Sequence, residues 1–202
     1  MHYTKITVLL SIFLIIGFGC VPKDNSSTAT PPKDTKPSTE TTAKPEPKPV
    51  AANPYLITDK SFMGLSSGNG IEEHADVLEQ GVLKSGEGEF EVYNIKSESG
   101  EKLGYIMASH QDPSKIGNIT ITHPKASTEE GISIGATFAE LESALGEVAV
   151  HGSEIESRTY AYKGHLAFLL DDYHNTYELD KSKVKKDAKI KEIEIRTNAY
   201  SK

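Results

Sequence analysis

The sequence from Asn53 onward predicts an α+β fold, a mainly antiparallel sheet of six or seven strands with two short helices. Three observations carry this. Short runs rich in Ile, Val, Phe and Tyr alternate with polar residues at period 2. Turn-forming clusters separate them at hairpin spacing. One segment, Thr137 to Gly146, bears a complete set of helix start and stop signals.

In chain order, the first helix is expected over Ile71 to Gln80. Asn69 can cap it, Glu72 sits three residues later, and Gly81 can stop it; Ile71, Ala75 and Leu78 share a face. Glu89 to Lys96 and Leu103 to Ser109 flank Ser97-Glu98-Ser99-Gly100 and read as a hairpin. A further strand follows in Gly117 to Thr122, where Ile and Thr alternate, and Pro124 ends it. The second helix opens on Thr137 and Glu140, a capping box in which each side chain satisfies a backbone N–H. Phe138, Leu141 and Leu145 then face the core and Gly146 closes the helix. Ile155 to Tyr162 and His165 to Leu170 surround Lys163-Gly164, a two-residue turn by spacing. Lys191 to Thr197 is the last strand, with Ile193 and Ile195 alternating with charges.

Upstream of this domain, residues 53–202, the composition changes. Residues 20–52 hold seven of the ten prolines amid Thr, Ser, Lys and Ala, with no aromatic residue. A chain without large apolar groups cannot offset the entropy of ordering, so a disordered tether with polyproline-II bias is expected. At about 3.1 Å per residue it reaches on the order of 100 Å when extended.

The first 19 residues read as a signal peptide: Lys5 supplies a positive start, Ile6 to Ile16 an apolar stretch, and Gly17-Phe18-Gly19 the small residues before Cys20. The segment resembles a bacterial lipoprotein signal, with Gly19 and Cys20 matching the lipobox and Gly17 standing where an aliphatic residue is usual. That resemblance implies diacylglyceryl on the Cys20 thiol and an acyl chain, such as palmitate, on its new amine, a multi-chain anchor in the membrane lipid. It gives a fate to the only cysteine, which has no partner for a disulfide. Val21 after the Cys, rather than Asp, implies sorting to the outer membrane of a Gram-negative cell, with the domain in the periplasm or exposed at the surface.

Charge narrows the partners. Residues 53–202 carry 25 Asp/Glu against 16 Lys/Arg, a net −9, against −7 for the whole chain. Nucleic acid and anionic headgroups are repelled by such a surface as a whole.

The Ile119-Thr120-Ile121 strand, the Pro124 to Gly131 loop and the Gly131 to Leu141 segment together resemble the RpoE-regulated lipoprotein family, a periplasmic domain of unknown function. The closing Ile-rich strand at Ile190 to Arg196 adds to the likeness. Some members carry a Cys pair after the helix; Val148 and Thr159 lie in that region here, so no disulfide carries over. The resemblance implies a cell-envelope role, in stress response, with no catalytic residue and no cofactor to transfer.

Four patterns invite chemistry. Gly64-Leu65-Ser66-Ser67-Gly68 matches the G-x-S-x-G nucleophile elbow of serine hydrolases, with Ser66 as nucleophile. The elbow needs a parallel sheet upstream, and upstream of Asn53 there is only tether, so a polar turn is the preferred reading. Asp171-Asp172-Tyr173-His174 could gather metal ligands around Asp172 and His174, with His165 or His151 added, although the spacing matches no named site. A hairpin end with solvated charges is the plainer reading. Tyr160, Tyr162, Tyr173 and Tyr177 cluster late in the chain and could line a groove, although alternating Tyr on a strand is common packing; Lys181, Lys183, Lys185, Lys186 and Lys189 form a basic run that could touch anionic glycan or lipid phosphate, with a solvated loop that balances nearby acids the preferred reading. The expectation is a non-enzymatic module with a protein or cell-wall partner, with no catalytic or metal residue assigned; a Ser66 hydrolase and a metal-binding domain are the alternatives.

Overall fold

The computed structural model describes residues 53–201. The signal peptide, Cys20 and the tether lie outside them. The strands are β1 Leu56–Ile57, β2 Ser61–Phe62, β3 Leu65–Ser66, β4 Leu78–Ser85, β5 Gly88–Lys96, β6 Lys102–Ala108, β7 Ile116–Ile121, β8 Ser127–Thr128, β9 Ala149–Gly152, β10 Arg158–Lys163, β11 Leu166–Tyr173 and β12 Ile190–Ile195. The α-helix α1, Phe138–Leu145, lies between β8 and β9. Single 3-10 turns occur at Glu72–His74 and Lys181–Lys183.

This corrects the α+β expectation of six or seven strands and two helices. The domain is mostly β: an eight-stranded antiparallel sheet, order β4-β5-β6-β7-β12-β11-β10-β9, and a four-stranded sheet, order β3-β2-β1-β8, with one α-helix among the described residues. The helix expected at Ile71 to Gln80 is a 3-10 turn followed by β4. Asn69 accepts from the Ser66 N–H at 2.9 Å, closing a turn instead of capping a helix, and the Ile71 N–H donates to Ser114 O at 2.9 Å. From Leu78 on, β4 pairs along its whole length with β5, from Leu78↔Ile95 to Ser85↔Gly88, and this ladder outweighs a weak local helical preference. Gly81 is no helix stop either. It lies opposite Val92, and the Asn94 side chain occupies the space a Cβ would fill.

The strands of the small sheet are two residues long, too short for periodicity to reveal. Met63 and Gly64 join β2 to β3 with φ of 52° and 80°, the doubly left-handed pattern of a two-residue hairpin turn. The turn expected at Lys163-Gly164 falls one residue later: Lys163 pairs with Leu166, leaving Gly164-His165 as the loop, with Gly164 at φ 59°.

The helix at Thr137 forms as its capping box requires. The Thr137 hydroxyl accepts from the Glu140 N–H at 3.1 Å, and the Glu140 carboxylate accepts from the Thr137 N–H at 2.6 Å. The Gly146 N–H closes the other end on Glu142 O. Phe138 and Leu141 of α1 and Ile57, Phe62 and Leu65 of the small sheet join one core with Ile106, Ile119, Ile121, Phe168, Ile193 and Ile195 of the large sheet. Both of these layers therefore cover the same, isoleucine-rich face.

Gly104 in β6 shows how closely the strands of this sheet approach. A Cβ there would meet Thr120 O at 2.1 Å and Ile121 Cα at 3.0 Å, backbone atoms of β7 that cannot turn away. Gly104→Ala is expected to destabilise the domain by about 3 kcal/mol, the upper end for overpacking, read as a lowered midpoint in urea denaturation.

Candidate functional site

Strand alternation decides what the second face of the large sheet carries. In β12, Ile193 and Ile195 point into the core, so Glu192 and Glu194 must point away from it. Register extends this row across the sheet. Glu194 lies opposite Thr120 of β7, which lies opposite Tyr105 of β6 and, beyond it, Asn94 of β5. On the other side Glu194 faces Ala167 and then Tyr162, while Glu192 faces Leu169, Tyr160 and His151. The result is a face of tyrosines around two central carboxylates, flanked by Arg158 and Arg196.

This face is only partly solvated although neither packed layer covers it. Thr120 is 5% exposed and Ala167 2%, because the tall tyrosines on adjacent strands shield them. Burial pushes the Glu192 carboxyl above the usual range, with Arg158 opposing. Glu194 shifts the same way through burial and the neighbouring Glu192 charge, with Arg196 opposing. Its Oε1 accepts from Asn118 Nδ2 at 2.9 Å and lies 3.6 Å from Arg196 Nε. Burial also raises Tyr105 and Tyr160, and pushes Tyr162 up to about 12 despite the Arg196 guanidinium 5.5 Å over its ring. Asn94 Oδ1, on the same row, is buried without a partner among the described residues.

At the β9 end the face closes into an aromatic stack. Tyr177 stacks on His151 at 4.4 Å and Tyr200 on Tyr162 at 5.0 Å. His151 Nδ1 donates to the Tyr177 carbonyl, so its Nε2 accepts the Tyr200 hydroxyl. A cavity of about 440 Å³ lies beside the stack, lined by Val148, His151, Glu178, Asp180, Lys181 and Tyr200 among others. Of the four tyrosines the sequence grouped together, Tyr160, Tyr162 and Tyr177 meet here. Tyr173, at the end of β11, is 73% exposed and outside the stack.

The other sequence candidates separate. Asp172 is 3% exposed and its oxygens are engaged: Oδ2 accepts from His174 Nε2 at 3.1 Å and from the Lys185 N–H at 2.9 Å, and Oδ1 pairs with Lys185 Nζ at 3.1 Å. Burial alone would raise this carboxyl, but Lys185 and then His174 outweigh it and hold it at about 2. The pair therefore ties β11 to the lysine loop. Among the described residues no group of three or more His, Cys, Asp or Glu side chains is placed to hold a metal ion. The lysine run disperses in the same manner, with Lys181 and Lys186 both pairing with Glu142 of α1.

Ser66 sits in β3, an antiparallel two-residue strand, and no strand-to-helix elbow surrounds it. Ser66 and His165 line one cavity, but His165 Nδ1 donates to Arg196 O at 2.9 Å, and no hydrogen bond joins it to Ser66. What sequence reasoning missed is the central pair Glu192 and Glu194 with Arg158, Arg196 and Tyr105. The alternation in Ile190 to Arg196 showed that these charges share a face. It could not show that the strand lies mid-sheet.

No family model matches the chain, and no curated protein does. Among solved structures, the chain is similar to the crystal structure of the uncharacterized protein yfeY from Escherichia coli, at 14% identity and a TM-score of 0.46, over 70% of this chain and 99% of that one.

The Asp172 contacts have a pH signature. Its folded pKa lies below the unfolded value, so the folded state binds its proton less readily. The stabilisation is complete above about pH 4 and is lost as pH falls through about 2, and amounts to about 2 kcal/mol. Asp172→Asn should lower neutral-pH stability by about that amount and flatten the acid limb of a stability-against-pH curve. An unchanged acid limb would contradict this assignment.

Proposed function

We propose that this chain is an envelope lipoprotein of the RpoE-regulated lipoprotein type, acylated at Cys20, whose domain is a non-enzymatic binding module with a role in envelope stress. Cys20 anchors it in the outer membrane, and the Pro-rich tether lets the domain reach a protein or cell-wall partner. The observation that carries the binding reading is the tyrosine and carboxylate face of the large sheet. Tyrosine and arginine are the residues that concentrate binding energy at interfaces, since they bury large area and still make hydrogen bonds. The raised Glu192 and Glu194 carboxyls favour a partner rich in hydrogen-bond donors, which would supply what the sheet itself withholds.

A carboxylate with a raised folded pKa costs stability. Between its unfolded and folded pKa the native state binds more protons than the unfolded chain, so stability falls as pH rises through that window and the deficit is complete above it. Removing these charges should therefore stabilise the domain while weakening binding. The test is chemical crosslinking in cells producing the lipidated protein, comparing the parent chain with a Glu192→Gln, Glu194→Gln variant. The expected result is a higher Tm at neutral pH together with weaker capture of the crosslinked partner. Unchanged capture would contradict a role for this face, and a lower Tm would contradict the charge assignment. In the same cells, mass spectrometry should find acyl chains on Cys20. A fluorophosphonate label lost on Ser66→Ala would instead establish the hydrolase reading.

A further inference from the structure

A second cavity, of about 530 Å³, lies where the loop after β3 meets the end of β12 and the β10–β11 turn. Its lining includes Lys60, Ser66, Ser67, His165, Arg196 and Thr197, and it contains no Asp or Glu. In a domain where acids outnumber bases 25 to 16, a cavity lined by a lysine, an arginine, a histidine, three hydroxyls, a glycine and an isoleucine is a local reversal of sign.

Two of the donors are uncommitted. The Ser66 hydroxyl has no hydrogen bond among the described residues, and Lys60 Nζ has no ion pair among them. His165 gives Nδ1–H to the Arg196 carbonyl, which leaves Nε2 without a hydrogen bond among the described residues. The Arg196 guanidinium is engaged with Tyr162 and Glu194, so it contributes positive field more than a direct contact.

The frame around these groups is held in place. The Gly68 N–H donates to Ile116 O at 2.8 Å and the Ile116 N–H to Asn69 O at 2.9 Å, tying the loop to β7, and within the loop the Ser66 N–H donates to Asn69 Oδ1 at 2.9 Å. Gly68, at φ 86°, leaves open space where a side chain would stand. On the far wall Ser67 Oγ donates to Thr197 Oγ1 at 3.1 Å. A loop pinned to the neighbouring strand by two backbone hydrogen bonds spends little entropy in ordering around a ligand.

The geometry points to this cavity as a binding site for a phosphate monoester. An ammonium, a hydroxyl and an imidazole lining one cavity without a carboxylate suit a compact dianion, whose hydrogen bonds to charged donors are the strong kind. The volume falls within the range of small-molecule sites and exceeds what phosphate alone would fill, leaving room for a glycerol- or sugar-sized remainder. The site shares Arg196 with the tyrosine face, but Lys60 and Ser66 lie outside that face, so its failure on their substitution would leave the binding-module reading intact.

Calorimetric titration of the full chain with inorganic phosphate, glycerol 3-phosphate and glucose 1-phosphate tests it, with thermal melting alongside and glucose as the uncharged control. Both esters should bind and raise Tm. Lys60→Glu, at a surface residue, should weaken binding at least tenfold, and Ser66→Ala should weaken it less. Tighter binding of glycerol 3-phosphate would identify a lipid headgroup as the source of the phosphate, and tighter binding of glucose 1-phosphate a phosphorylated glycan. No heat with any phosphate, equal heat with glucose, or undiminished binding by Lys60→Glu would overturn the assignment.

Discussion

β12 is the last strand in sequence and the fifth of eight in space, and the large sheet depends on it. Two meanders come before it, β4 to β7 and β9 to β11, each built from sequential antiparallel neighbours. Without β12 they would end in bare edges at β7 and β11. β12 pairs with both, Ile193 standing between Ile121 and Phe168, and Ile195 between Ile119 and Leu166. It also buries Ile190, Ile193 and Ile195, each 1% exposed or less, worth about 1.5–3 kcal/mol apiece. Closure by a C-terminal strand requires contacts distant in sequence, and such contacts form at high entropic cost.

The same alternation that anchors β12 by its isoleucines places its carboxylates at the centre of the opposite face. There they are partly desolvated between Tyr105 of β6 and Tyr160 and Tyr162 of β10, two strands away on either side, and only partly balanced by Arg158 and Arg196. Asp172 shows what a carboxylate in this domain becomes when fully partnered: 3% exposed, yet held at about 2 by Lys185 and His174. One set of charges reinforces the fold, and the other costs it stability. A sheet face that retains unfavourable charges in a well-packed domain fits a surface maintained for contact with another molecule.

Legibility in the sequence followed the range of the interaction. Thr137 and Glu140 were readable because a capping box lies within four residues, and the hairpins at Ser97 to Gly100 and around Gly164 because their turns are local. The stretch Ile71 to Gln80 misled because Ile71, Ala75 and Leu78 satisfy helical spacing, whereas its conformation is decided by pairing of Leu78 onward with β5. Asp172 and His174 were rightly seen as neighbours. Lys185, thirteen residues away, turned them into a structural tie in place of a metal site. The tyrosine cluster was visible from spacing along β10, but the Glu192 and Glu194 pair at its side was not, since nothing in a sequence marks the closing strand as central.

Amide hydrogen exchange resolved by strand tests the closure directly. If β12 joins the two meanders, the amides of Ile193 to Ile195 should exchange among the slowest in the domain, together with Ile119 to Ile121 and Ala167 to Leu169. Exchange of β12 at the rate of the edge strand β4, with either meander still protected, would contradict the account.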